Sequence, residues 1–190
     1  KISIIGMGYV GLPLAKALQK YFLVTGYDNS VTRINELNKA YDRNSNFTKK
    51  QLLSSKNLFF SNNQDDLNNT DIFIVTVPTP IYKNKFPDLR HLENACKIIG
   101  KKIKKKNIII FESTVYPGCT ENFCAKILEN ISGKIYNKDF FLAYSPERIN
   151  VGDKKNTLEK ITKIVGASDS KTLNAVSQIY SKIIKAGVYK

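Results

Sequence analysis

Short apolar runs alternate along the chain with amphipathic stretches, and breaks containing Gly, Pro or Asn separate them. Residues 2–5 predict a strand and residues 12–20 a helix. A second strand is expected over 23–27, and Ser30 is placed to cap a helix reaching about Lys39. The segment 41–55 is polar and irregular, with room for a short helix over 48–53. Strands are expected at 58–61 and at 71–77, the latter apolar on both faces. From Asp88 to about Lys105, Leu89, Leu92, Ala95, Cys96 and Ile99 recur at helical spacing, and 107–111 is another two-sided apolar strand. A helix over 120–131, strands at 140–144 and 163–166, and a last helix complete the pattern. Ser168 or Asp169 caps that helix, which reaches about Ile184. This βαβα alternation predicts an α/β fold: a Rossmann-like, doubly wound, mainly parallel sheet with helices on both faces.

Composition narrows the class. The 190 residues amount to about one ordinary domain. Hydrophobic residues at 42% and charged residues at 24% exclude wholesale disorder. No apolar run approaches the ~18 residues that a spanning helix needs, so no membrane role is expected. Gly6 comes too early for a signal peptide's apolar region. Cys96, Cys119 and Cys124 form no CxxC pair, and His91 is the sole histidine. Neither a metal site nor a disulfide framework is expected, which suits a reducing cytoplasm. Thirty Lys and Arg against sixteen Asp and Glu give a net charge of +14, which fits an anionic partner. The basic residues lack aromatic interleaving or a nucleic-acid motif, so no nucleic acid is expected. The run 101–106 reads as a solvated helix end, His91 as exposed and idle, and Cys96 as core. Cys119 and Cys124 flank a helix start, yet no base is recognisable beside them. The chain has no initiator Met and begins inside an apolar run, so it is expected to be a piece of something longer.

The first predicted strand runs directly into Gly6-Met7-Gly8-Tyr9-Val10-Gly11, a G-x-G-x-x-G between strand and helix. That is the context a dinucleotide fingerprint requires. Gly6 makes the turn, Gly8 lets backbone approach a pyrophosphate, and Gly11 lets the helix pack on the strand. Asp28 stands at the end of the second strand, 22 residues after Gly6, where an acid accepts from the adenosine ribose. A carboxylate there repels a 2′-phosphate and favours NAD over NADP, although Arg33 is five residues on and could reach a phosphate. Three later strand ends carry Val77-Pro78-Thr79-Pro80, Glu112-Ser113-Thr114 and Ser145-Pro146-Glu147-Arg148. Ligands of open α/β sheets sit outside these carboxyl ends. Glu147 reads either as a structural ion-pair or helix-start acid, or as a carboxylate for acid/base work beside the Arg148 guanidinium.

Together Gly6-Met7-Gly8-Tyr9-Val10-Gly11-Leu12-Pro13-Leu14-Ala15, Val77-Pro78-Thr79-Pro80, Glu112-Ser113-Thr114-Val115-Tyr116-Pro117-Gly118-Cys119-Thr120-Glu121 and Ser145-Pro146-Glu147-Arg148-Ile149-Asn150 resemble the UDP-glucose/GDP-mannose 6-dehydrogenase family. The pieces from Thr79 to Leu89, and Tyr116-Pro117-Gly118-Cys119-Thr120, resemble its UDP-N-acetylhexosamine branch of the Vi-antigen type, which serves surface-polysaccharide synthesis. The resemblance implies oxidation of a UDP-sugar C6 alcohol to a carboxylate in two hydride transfers to NAD⁺, with a cysteine thiohemiacetal and thioester between them. It implies a cofactor site at Gly6, Met7, Gly8, Tyr9, Val10, Gly11, Asp28 and Arg33, with Thr79 and Thr114 on the nicotinamide side. Thr114 and Glu147 would serve catalysis, and Glu147, Arg148, Ile149 and Asn150 the substrate.

Two departures stand out. The glucose-type enzymes carry a second glutamate where this chain has Val151, and the family's Gly-Gly-x-Cys segment does not occur here. The expectation is an NAD-binding domain spanning 1–190, without the nucleophilic cysteine, central helix and C-terminal domain. Such a piece would be monomeric and inactive alone, and the whole protein a homodimer. The alternatives are another Rossmann dehydrogenase of the 6-phosphogluconate or hydroxyacid type, or an NAD-sensing module without catalysis.

Overall fold

The computed structural model describes residues 1–148 and 158–190. Its elements in chain order are β1 (Ile2–Ile5), α1 (Gly11–Leu18), β2 (Val24–Tyr27), α2 (Val31–Asn38), α3 (Lys49–Leu53), β3 (Leu58–Ser61), β4 (Ile72–Val75) and α4 (Arg90–Gly100). Then follow β5 (Asn107–Phe111), α5 (Ala125–Ser132), β6 (Phe140–Tyr144), β7 (Lys163–Ile164), β8 (Gly166–Ala167), α6 (Ser170–Ser181) and β9 (Val188–Tyr189). One sheet runs β3-β2-β1-β4-β5-β6-β8. Its first six strands are parallel and β8 returns antiparallel to β6. The order reverses between β1 and β4, which sets the switch point of a doubly wound sheet there.

The two-sided strands divide their side chains between two cores. Ile4, Ile74 and Ile110 pack with Leu12, Leu14, Leu18, Ile34 and Tyr180 on the α1, α2 and α6 side. Ile5, Val75 and Ile109 pack with Leu92, Cys96, Ile99 and Leu128 on the α4 and α5 side. Alternation along each strand makes this split, and it explains why the strands read as unbroken apolar runs.

The predicted mainly parallel sheet is therefore what the chain builds, and the predicted cap at Ser30 forms, its Oγ accepting from the Arg33 backbone N–H at the start of α2. The short helix expected over 48–53 is α3, where Thr48 and Gln51 also cap each other. Asp169, rather than Ser168, caps α6 by accepting from Lys171 and Thr172. Elsewhere the boundaries differ for local reasons. The helix expected over 120–131 begins with a wider π turn at Thr120–Cys124 before α5. That winding lets Cys119 and Cys124, five apart, both be buried. The strand expected over 163–166 divides at Val165, whose N–H donates to the Tyr189 carbonyl. Lys163 and Ile164 pair with β9, while Gly166 and Ala167 turn to β6.

The polar segment after α2 is organised by one carboxylate. Asp42 is enclosed, accepts from Arg33 Nη2 at 2.9 Å, and accepts the backbone N–H groups of Asn44, Asn46 and Phe47. Removing it strands a buried guanidinium and frees three turn donors. Asp42→Ala is expected to lower stability by about 3–5 kcal/mol, read from the urea midpoint of unfolding.

Candidate functional site

Five residues separate the end of β1 from the start of α1, and backbone contacts close the turn. Gly6 sits at φ +104°, a conformation open to glycine, and its N–H donates to the Tyr27 carbonyl at the end of β2. Thr76, just past β4, donates its hydroxyl to the Gly6 carbonyl at 2.8 Å, and that hydroxyl also lies 3.1 Å from the Ile5 carbonyl. A Cβ on Gly11 would stand 1.8 Å from the Gly6 carbonyl oxygen, so α1 begins in direct contact with the turn. A Cβ on Gly8 would meet nothing within 4 Å, which leaves open space beside that residue. No side chain caps α1 at Val10, and its first turn holds no acid. The positive helix end is therefore left to an anion from outside.

Asp28 is fixed at the neighbouring strand end. Its Oδ2 accepts from Met7 N at 2.8 Å and its Oδ1 from Ser30 N at 2.9 Å. Each oxygen keeps a second lone pair for a ligand hydroxyl. Met7 has its side chain in the core, whereas Tyr9 is half exposed. Arg33 is buried: Nε donates to the Met7 carbonyl at 2.8 Å and Nη2 to Asp42, while Nη1 finds no partner within hydrogen-bond distance. The guanidinium thus braces the turn through Met7, a use that its spacing from Asp28 did not reveal.

Two further loops are tied together beyond β4 and β5. Thr79 donates to the Thr114 carbonyl at 2.6 Å, and Ser113 donates to the Val77 carbonyl at 2.6 Å. Thr79 and Thr114 are thereby neighbours. After β6, Ser145 donates to the Ile164 carbonyl, and Glu147 follows. Glu147 Oε1 accepts from Arg148 N at 2.7 Å, and Oε2 lies 3.3 Å from Lys163 Nζ. Lys163 Nζ also lies 2.8 Å from Glu112 Oε2, and the Tyr180 hydroxyl donates to Glu112 Oε1. Burial raises the Glu112 pKa, with Lys163 and Tyr180 pulling the other way. Burial works against the Lys163 charge, yet Glu112 and Glu147 outweigh it and hold its pKa above the ordinary lysine value. Arg148 is exposed; Ile149, Asn150 and Val151 lie outside the described residues. Sequence reasoning missed Thr76, Lys163 and Tyr180, because their partners are 70, 51 and 68 residues away in the chain.

The cysteines are all buried, with the Cys119 thiol pushed up to about 11 chiefly by burial. Cys124 is pushed up as well, first by its hydrogen bond with Cys96 and then by burial. His91 is exposed, and no group of metal-holding side chains occurs among the described residues. No helix among them is long and apolar enough to cross a membrane.

Residues 1–184 match the UDP-glucose/GDP-mannose dehydrogenase family, NAD binding domain. The chain belongs to this family. It is 44% identical over 190 residues to a UDP-N-acetyl-D-glucosamine 6-dehydrogenase of Salmonella typhi, covering all of this chain and 45% of that one. It is 44% identical over 189 residues to Protein CapL of Staphylococcus aureus, again over all of this chain and 44% of the relative. The solved UDP-D-ManNAc dehydrogenase of Pyrococcus horikoshii superposes with a TM-score of 0.89 at 30% identity, covering 99% of this chain and 46% of that one. The chain thus spans somewhat under half the length of these relatives. As an NAD-binding domain it carries a fitting cradle: an uncapped helix start, open space at Gly8 and an anchored Asp28.

The glycines separate stability from binding. Gly11→Ala is expected to lower stability by roughly 2–3 kcal/mol in urea unfolding, because backbone must move. Gly8→Ala is expected to leave the urea midpoint in place while weakening NAD⁺ binding in a calorimetric titration. The native thiols are expected to resist iodoacetamide at pH 8, and to react once urea unfolds the chain, as followed by mass spectrometry.

Proposed function

We propose that this chain is the cofactor-binding part of an NAD-dependent nucleotide-sugar 6-dehydrogenase that oxidises the C6 alcohol of a UDP-N-acetylhexosamine to the uronic acid. The observation that carries the reading is the assembly of Gly6–Gly11, Asp28, Thr79, Thr114 and Glu147 along one carboxyl edge of the sheet, at and beyond its switch point. The names of the relatives supply the substrate class. When bound, NAD⁺ supplies the hydride acceptor. The turn and the first residues of α1 would hold the pyrophosphate with main-chain N–H groups, and Asp28 would accept from a ribose hydroxyl. Thr79 and Thr114 would line the nicotinamide side. Glu147 would take a proton from a water or a sugar hydroxyl. Arg148, Ile149 and Asn150 would touch the sugar nucleotide. The buried state of Cys96, Cys119 and Cys124 supports a covalent nucleophile from outside this chain.

Calorimetric titration of the chain tests the cofactor half of the reading. NAD⁺ is expected to bind in preference to NADP⁺. Asp28→Asn is expected to weaken NAD⁺ by about tenfold or more, the scale of one lost hydrogen bond to a charged group. Equal binding of both dinucleotides would overturn the assignment of Asp28. The chain alone is expected to form no NADH from UDP-N-acetylglucosamine and to sediment as a monomer. The complete protein carrying it is expected to be a homodimer that does form NADH. Steady NADH formation by the 190-residue chain would overturn the division of labour.

A further inference from the structure

The reading above uses Glu147 but leaves unexplained the groups behind it. Glu112 at the end of β5 is fully enclosed, and Lys163 on β7 is 5% exposed. Tyr180 on α6 is fully enclosed too, its hydroxyl on Glu112 and its ring 5.4 Å below the Lys163 ammonium. Glu112 and Lys163 balance each other's charge. Glu147 is a second carboxylate on the same ammonium, at 3.3 Å, and it stands at the loop after β6. Among described side chains, Glu112, Glu147 and Tyr180 are the titratable groups bearing on Lys163.

Holding a lysine head still is expensive. Immobilising that side chain costs about 1.5–2 kcal/mol of rotamer entropy, and burying its charge costs several more. A fold that needed only packing here would do as well with apolar residues of similar volume. What the ionic arrangement adds is a rigid donor at one place. Lys163 is pinned at its backbone, where its N–H donates to the Gly187 carbonyl, and at its head by Glu112. A second contact of the ammonium goes to Oε2 of Glu147, while the Arg148 N–H donates to Oε1. The carboxylate is thus gripped at both oxygens, by one local contact and one from the protein interior.

We propose that Lys163, anchored by Glu112 and Tyr180, is a positioning residue that fixes the Glu147 carboxylate for its work on substrate or water. The inference rests on the role given to Glu147 above. Lys163 itself touches neither substrate nor cofactor in this account. It acts through Glu147, keeping the carboxylate at the strand end.

The test uses two variants of the complete protein that carries this chain. Lys163→Met alone would leave Glu112 buried without its cation and is the variant at risk of misfolding, so the informative change is Glu112→Gln with Lys163→Met. This double variant is expected to unfold cooperatively and to bind NAD⁺ within about twofold of wild type. Its kcat is expected to fall by about tenfold or more with KM for the sugar nucleotide little changed, the signature of an interaction that matters in the transition state. In the 190-residue chain, the Glu147 carboxyl ¹³C resonance, assigned through Glu147→Gln, is expected to be displaced in the same double variant. Glu147→Gln in the complete protein separates the two readings. If it is inactive while the folded double variant keeps wild-type kcat, the positioning role is overturned and the role of Glu147 stands. If Glu147→Gln keeps full kcat, both fall.

Discussion

The contact between Gly11 and the Gly6 carbonyl is the constraint on which the site depends. A strand and a helix of the same βα unit must meet within five residues, and a Cβ at position 11 would fall 1.8 Å from an oxygen that cannot yield. Because that side chain is missing, α1 starts flush on the turn, with its uncapped end beside open space at Gly8. Thr76 closes the arrangement from β4, so the switch point is both a topological feature and a hydrogen-bonded joint. Asp28 and Arg33 then hold Met7 from β2 and α2. The turn is braced from three sides without a ligand.

The rest of the edge follows the same rule: each loop is tied to its neighbour. Ser113 to Val77 and Thr79 to Thr114 join the loops after β4 and β5, and Ser145 to Ile164 joins the loop after β6 to β7. These are bonds to backbone carbonyls, and those of Ser113 and Ser145 lie at least partly out of reach of water. Such an edge has spent its ordering entropy during folding rather than on binding, which is what preorganisation of a site requires.

How far the sequence reveals this depends on how local each interaction is. The two-sided apolar runs and the cap at Ser30 are local features that pattern alone exposes, and the βαβα alternation of such runs implies the parallel sheet. Asp28 is legible because the βαβ unit fixes its separation from Gly6. Lys163 is not, since nothing near position 163 indicates Glu112 or Tyr180, and only the folded sheet brings β5, β7 and α6 together. The split at Val165 is hidden for the same reason: the pairing with β9 depends on a segment at the other end of α6. Arg33 is a different case. Its contacts with the Met7 carbonyl and with Asp42, nine residues on, are ones that its spacing from Asp28 does not announce.

Charge illustrates how composition can point in the right direction for an incomplete reason. A net charge of +14 suits a phosphate-bearing ligand, yet the glycine turn contains no lysine or arginine. Lys16, farther along α1, is engaged with Gln51 and Ser55, and Arg33 is occupied inside the fold. What the turn offers an anion is main-chain N–H at an uncapped helix start, with the partial charge of a helix end. Recognition of that kind is short-ranged and directional, set by backbone geometry rather than by side-chain charge. The excess lysines can raise the encounter rate with an anion over long distances, and salt screens that contribution. The dinucleotide reading therefore stands on three glycines and one aspartate more than on thirty cations.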